Sequence, residues 1–123
     1  MVRHQVGRLA EPEGREVAED DQARVVVLTG AGRAFCAGVD LSALPGGGGT
    51  TPSSYSASSP DSIRRGFRRP QEIILGMQRL EKPTIAMVNG VAAGAGLDIA
   101  CACDMRIGSP NTRFMAGYAR IGL

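Results

Sequence analysis

Residues 82–108, KPTIAMVNGVAAGAGLDIACACDMRIG, determine the fold class of this chain. The opening "KPTIAMVNG" is a short apolar run, which predicts a buried strand. "AGAGLDIACAC" follows and predicts a buried helix, whose small residues allow close approach of another backbone. "DMRIGS" then predicts a further strand that ends at Gly108. Strand, helix and strand in this order favour a βαβ unit in an α/β domain.

The chain before this stretch carries the same type of pattern. "RVVVLTG" (24–30) is a β-branched run closed by glycine, and a strand buried on both faces is typical of a parallel sheet. A helix is predicted from Ser59 or Asp61 to about Leu80, with Pro70 as a kink or break. Its apolar face would consist of Ile63, Phe67, Ile74, Met77 and Leu80. The two strands and this long crossover helix predict a right-handed βαβ arrangement.

Three segments show weaker patterns. Residues 1–22 are charged and weakly periodic, which predicts a poorly defined N-terminal segment with a helical piece around residues 16–22. Residues 23–123 would form the folded domain, and within it the Gly/Ser/Pro-rich residues 45–60 predict a flexible loop. "AGRAFCAGVDL" (31–41) is expected to be a turn with little regular structure.

Composition limits the function classes. A chain of 123 residues suits one small domain, and its net charge of +2 does not indicate a nucleic-acid or membrane partner. No apolar run is long enough to cross a bilayer. The three cysteines lack metal-site spacing and the single histidine is His4. These features predict buried reduced thiols, no metal site and a cytoplasmic location.

Two turns rich in glycine and alanine are the candidates for chemistry. "FCAGVDL" (35–41) and "VAAGAGLD" (91–98) each follow a predicted strand. Unobstructed N–H groups at two adjacent turns could both donate to one oxygen, as in an oxyanion hole. The alternative is that small residues only permit tight helix–sheet packing, and spacing alone favours that alternative. A dinucleotide site at "VVVLTGAGRAF" is disfavoured, because Phe35 stands where the third glycine belongs.

Two long segments resemble the signature segments of the crotonase superfamily, the enoyl-CoA hydratase/isomerase family. They are "VVVLTGAGRAFCAGVDL" (25–41) and residues 82–123. The resemblance implies a crotonase-like spiral of repeated ββα units that assembles as trimers or hexamers. It also implies an acyl-CoA thioester substrate, with coenzyme A as part of that substrate and no separate cofactor. Family members begin with a strand pair not recognised here and continue past "IGL", so the domain is expected to be truncated at both ends.

The resemblance also assigns roles to residues. Val39 and Ala95 would supply the two oxyanion N–H groups. Asp98 stands where hydratases of the family carry the first of two catalytic glutamates and some isomerases carry an aspartate. It is expected to face the acyl chain in a partly desolvated pocket. The alternative for Asp98 is a helix residue hydrogen-bonded to nearby backbone.

Tyr118 occupies the position of the second glutamate. A phenol is a poor base at neutral pH but can donate a hydrogen bond or orient water. This departure disfavours hydration by two carboxylates and favours one-carboxylate chemistry such as double-bond isomerisation.

The remaining implied contacts concern the substrate. Residues expected to line its pocket are Phe35, Ala37, Gly38, Asp40, Leu41 and Gly94. Arg64, Arg65, Arg68 and Arg69 could reach the phosphates of coenzyme A, or else form a solvated helix face. Asp104 is expected to have a capping or ion-pair role. A second function class also stays open: a non-catalytic or inactive truncated fragment that binds acyl-CoA.

Overall fold

The computed structural model describes residues 17–38 and 59–118, together with the backbone of residues 2–5. These residues form two parallel sheets and two longer helices. The strands are β1 (Val2–Gln5), β2 (Val26–Thr29), β3 (Ala34–Cys36), β4 (Thr84–Val88), β5 (Val91–Ala93), β6 (Met105–Gly108) and β7 (Arg113–Met115), and the helices are α1 (Pro60–Gln78) and α2 (Ala95–Ala102).

The chain alternates between the two sheets. The four-stranded sheet has the order β1-β2-β4-β6 and the three-stranded sheet has the order β3-β5-β7, and all their pairings are parallel. A strand of the first sheet is followed by a strand of the second and then by a helix: β2, β3 and α1, then β4, β5 and α2. This order confirms the predicted α/β class and shows the repeated ββα unit.

The core lies where β2 and β4 meet the two helices. Leu28, Ala86 and Val88 are at most 1 % exposed, because their strands are the two central strands of the larger sheet. Met77 of α1 and Ile99 of α2 pack into the same cluster. The predicted buried strands at 24–30 and 82–90 are thereby confirmed, as is the helix between Gly94 and Cys103.

Asn89 fixes the crossing from the first sheet to the second. Its Oδ1 accepts the N–H of Gly30 at 3.0 Å, and its Nδ2 donates to the carbonyl of Gly32 at 2.7 Å. One side chain after β4 thus holds the turn between β2 and β3. Sequence analysis did not single out this asparagine.

Asp104 holds the turn before β6 against the start of β4. Its Oδ2 accepts both the N–H and the Oγ1–H of Thr84 at 2.7 Å, and its own N–H donates to Thr84 Oγ1 at 2.9 Å. The two hydrogen bonds from Thr84 lower the pKa of the Asp104 carboxyl below its ordinary value. This carboxylate therefore has a structural role.

Several strands were not predicted. The segment 31–41, expected to be an irregular turn, contains β3, and the segment 1–22 contains β1. Strands β5 and β7 were missed as well. Each strand of the second sheet has three residues, too few for a periodic pattern to emerge.

Pro70 does not end α1. The helix is continuous from Pro60 to Gln78, so a break at this proline is wrong. Met77 after the proline is buried and Phe67 before it is partly buried, so residues on both sides of the proline are shielded from solvent. Most of the predicted 45–60 loop, and the Ile63 side chain of the predicted apolar face, lie outside the described residues.

The strands β6 and β7 are the edges of their sheets and carry exposed apolar side chains. Met105, Ile107, Phe114 and Met115 are 49–58 % exposed. These edges leave a row of backbone groups and apolar surface available for a further contact. Within the described part of the chain, no helix is both long and apolar enough to cross a membrane.

Candidate active site

The two glycine-rich turns meet in the structure. Gly38 has a φ of +104°, and a Cβ built on it would lie 3.0 Å from the Ala93 carbonyl oxygen and 3.9 Å from the Ala95 nitrogen. A Cβ built on Gly96 would lie 2.3 Å from the carbonyl oxygen of Cys36. The chain just after β3 therefore lies directly against the first turn of α2.

The start of α2 is shaped by Gly94. Its φ of 51° lies in the region that favours glycine, and its carbonyl oxygen accepts the N–H groups of Leu97 and Asp98 at 2.8 and 3.1 Å. The N–H of Gly94 donates to Met115 in β7 at 3.0 Å. Ala95 is the first residue of the helix, and an N–H at this position has no acceptor within the helical hydrogen-bond ladder. That N–H is the predicted second oxyanion donor.

Asp98 lies on the outward side of α2. Gly96, Ile99 and Ala100 form the buried side of this helix, whereas the Asp98 side chain is exposed. The expectation of a desolvated carboxylate is therefore wrong. Asp98 follows Ala95 by three residues, so their side chains share one face of the helix.

Tyr118 hydrogen-bonds to the carboxylate and lies near the turn. Its phenol O–H donates to Asp98 Oδ2 at 2.5 Å. Its ring atom Cε1 would lie 3.9 Å from a Cβ built on Gly94. Partial burial, and then the hydrogen bond to Asp98, raise the pKa of Tyr118 to about 12. The phenol therefore stays protonated at neutral pH and is a hydrogen-bond donor rather than a base.

The residues predicted to line the substrate pocket have different environments in the structure. Phe35 is 3 % exposed and belongs to the core, so its side chain is not available to a ligand. Ala37 is exposed, and Gly38 lies against the start of α2 as described above. Val39, Asp40 and Leu41 lie outside the described residues, so the predicted first oxyanion donor stays a prediction.

The arginines of α1 form pairs with acids of the same helix. Arg64 and Arg65 both contact Asp61, and the Arg68 Nε lies 3.2 Å from a carboxylate oxygen of Glu72. All of these side chains are largely exposed, as in a solvated helix face. The side chain of Arg69 lies outside the described residues.

The cysteines differ in their environments. Cys103 is buried, Cys36 is half-buried and Cys101 is exposed, so the prediction of buried thiols is wrong for Cys101. Burial raises the pKa of the Cys103 thiol to about 11. In residues 17–38 and 59–118, no three side chains of His, Cys, Asp or Glu come together as metal ligands.

Arg106 binds the last carbonyl groups of α2. Arg106 in "CDMRI" donates from Nη1 to the carbonyls of Ala100, Cys101 and Cys103 at 2.7–3.3 Å, which provides hydrogen-bond donors for the C-terminal end of α2.

A dinucleotide-binding turn leads from a strand into a helix, whereas the chain after Gly30 leads into strand β3. The structure thus supports the exclusion of a dinucleotide site.

Comparison with known proteins identifies the family. The sequence model of the enoyl-CoA hydratase/isomerase family matches residues 15–123. A probable enoyl-CoA hydratase of Mycobacterium tuberculosis is 41 % identical over 104 residues, which are 85 % of this chain and 36 % of that protein. The 1,2-epoxyphenylacetyl-CoA isomerase of Escherichia coli is 37 % identical over 109 residues, 89 % of this chain and 39 % of that protein.

Solved structures agree with this result. A putative enoyl-CoA hydratase/isomerase (crotonase) of Legionella pneumophila superposes with a TM-score of 0.73 at 30 % identity, over 89 % of this chain and 39 % of that structure. The crotonase-like fold class predicted from the sequence is thereby confirmed. The chain spans 36–39 % of the length of these proteins. Over that length, the chain belongs to the enoyl-CoA hydratase/isomerase family.

Proposed function

We propose that this chain carries the thioester-binding and acid/base part of an enzyme that acts on enoyl-CoA. The backbone N–H groups of Val39 and Ala95 would hold the thioester oxygen and stabilise its enolate. Coenzyme A is part of the substrate, and no separate cofactor is required. The observation that carries this proposal is the packing of Gly38 against Ala93 and Ala95, which brings the two predicted donor turns together.

Asp98 is the proposed acid/base group. The carboxylate would remove a proton from C2 of a 3-enoyl thioester while electrons move onto the thioester oxygen. Returning the proton to C4 gives the conjugated 2-enoyl thioester, with no net gain or loss of protons. The alternative reaction, hydration, adds water across the double bond of a 2-enoyl thioester. The protonated phenol of Tyr118 favours isomerisation, since it cannot act as a second base at neutral pH.

A non-catalytic acyl-CoA-binding role is the second candidate. It is supported by the phenol of Tyr118, which stays protonated at neutral pH and supplies no second base. Two further proposals follow from the family and the structure. A trimeric or hexameric assembly would suit a longer form of the protein. The three free thiols support a reducing compartment such as the cytoplasm.

Binding is tested by thermal unfolding of the purified chain with and without crotonyl-CoA. A ligand that binds only the native state at ten times its Kd stabilises it by about 1.4 kcal/mol, which raises Tm by several degrees. An unchanged Tm at saturating ligand would refute the proposed site.

Catalysis is tested by the absorbance of the conjugated enoyl thioester. Isomerisation of a 3-enoyl-CoA increases this absorbance, whereas hydration of crotonyl-CoA decreases it. Asp98→Asn should abolish either signal. Glu81→Gln, which alters an exposed carboxylate in the turn before β4, should not change it. A Tm shift without turnover would select the non-catalytic role, and full turnover by Asp98→Asn would remove this carboxylate from the mechanism.

A further inference from the structure

We infer that Tyr118 is a positioning residue that fixes the orientation of the Asp98 side chain on the first turn of α2, so that Asp98 Oδ1 is the oxygen left to transfer the proton. This inference rests on the proposed function for its catalytic consequence. Its structural basis is the hydrogen bond from the Tyr118 O–H to Asp98, together with the position of the ring near Gly94.

First, the two carboxylate oxygens of Asp98 differ in their hydrogen bonding. Oδ2 of Asp98 accepts the phenol O–H at 2.5 Å, a short distance that is typical of a hydrogen bond to a charged acceptor. Among the groups that the structure describes, Oδ2 is the oxygen of this carboxylate that accepts a side-chain hydrogen bond. The two oxygens are therefore inequivalent. An exposed aspartate without this contact would rotate freely and present either oxygen.

The second step is the link between the carboxylate and the oxyanion turn. One edge of the Tyr118 ring lies near Gly94, the residue that precedes the predicted donor Ala95. The N–H of Gly94 is in turn held by the carbonyl of Met115, three residues before Tyr118. The segment 115–118 therefore contacts the turn at its backbone and the carboxylate at its side chain. Both predicted functional groups are positioned by the same few residues.

The third step is the protonation state of the pair. The phenol has a pKa of about 12, so it keeps its proton throughout the neutral range and donates a hydrogen bond to Asp98. Tyr118 thus provides a fixed donor to Asp98 and takes no proton during turnover.

The hydrogen bond is tested by tyrosine fluorescence at neutral pH. The chain has no tryptophan and two tyrosines, so Tyr55→Phe leaves Tyr118 as the only emitter. A carboxylate that accepts the phenol O–H quenches tyrosine emission. Asp98→Asn in this background should therefore increase the emission, whereas Glu81→Gln should leave it unchanged. Equal emission from the Asp98→Asn and parent proteins would overturn the inference.

The positioning role is tested by turnover of a 3-enoyl-CoA. Tyr118→Phe keeps the ring near Gly94 and removes only the O–H, so kcat should fall about tenfold while KM stays constant. Unchanged kcat with the expected emission would reduce the hydrogen bond to a structural contact and overturn the positioning role. If the parent chain shows no turnover, the proposed function fails, and the emission result still decides whether Tyr118 holds the carboxylate.

Discussion

The contact between Gly96 and Cys36 gives the sharpest test of how the site is assembled. A methyl group at position 96 would lie 2.3 Å from the Cys36 carbonyl oxygen and 2.7 Å from its Cβ. The first distance is about 1 Å shorter than an ordinary contact. Because the obstacle is backbone rather than the end of a flexible side chain, α2 must move away from β3 to accommodate Ala.

The expected magnitude combines two opposing effects. Overpacking of this kind costs about 1–3 kcal/mol, and a backbone obstacle places the cost at the upper end. Replacing glycine by alanine inside a helix contributes about 1 kcal/mol in the stabilising direction. Gly96→Ala should therefore lower the free energy of unfolding by about 2 kcal/mol.

A matched control lies on the other helix. Gly76 also lies inside a helix, α1, and a Cβ built on it meets no atom within 4 Å. Gly76→Ala should therefore raise the free energy of unfolding by about 0.5–1 kcal/mol. Urea unfolding followed by circular dichroism measures both variants. Stabilisation by Gly96→Ala equal to that by Gly76→Ala would refute the packing of α2 onto β3, and with it the meeting of the two turns.

Three further predictions concern titration, thiol reactivity and surface association. The pKa of Asp104 is lowered in the folded state, so the stability that it contributes is present above the unfolded pKa and is lost as pH falls through the folded pKa. The Asp104→Asn variant should therefore be less stable than the parent at neutral pH, and in acid-unfolding titrations it should lose less stability below about pH 4. Exposed Cys101 should react rapidly with a thiol reagent at pH 8, whereas Cys103, buried and with a pKa of about 11, should react only as the protein unfolds, and equal rates in Cys101→Ser and Cys103→Ser variants would contradict this assignment. Ile107→Lys at the edge strand β6 should reduce concentration-dependent association in sedimentation velocity while changing the free energy of unfolding by less than about 0.5 kcal/mol. Leu75→Lys makes the same kind of apolar-to-charged change on the exposed side of a helix and should reduce association less than Ile107→Lys does.

The larger sheet could be predicted from the sequence, and the smaller one could not. Strands β2 and β4 are apolar runs closed by glycine, which is the pattern of a strand buried on both faces. The strands of the second sheet have three residues each, Ala-Phe-Cys, Val-Ala-Ala and Arg-Phe-Met, and are too short to show alternation or β-branched enrichment. Their pairing depends on the crossing that Asn89 holds, a contact between residues 59 positions apart in sequence. Such a contact leaves no local pattern.

The close approach of the two turns was predicted from the sequence, and the exposure of Asp98 was not. Small residues at both turns indicated close approach of two backbones, and the contacts of Gly38 and Gly96 confirm that approach. The prediction that Asp98 is partly buried was wrong because every neighbour in "AGAGLDIACAC" is small or apolar, so the composition does not distinguish the buried side of the helix from the exposed side. The helical period does distinguish them.

One face of α2 explains why a carboxylate stands in an otherwise apolar segment. The buried residues Gly96, Ile99 and Ala100 recur at helical spacing, and the exposed residues Asp98 and Cys101 are three apart on the opposite side. The helix can thus pack closely on β3 through its small residues and still present a charged group to solvent or ligand. Asp98 is exposed yet held in place, because Tyr118, three residues after the end of β7, supplies a contact that burial would otherwise provide. A single directed hydrogen bond gives this exposed side chain a fixed orientation, as the proposed proton transfer would require.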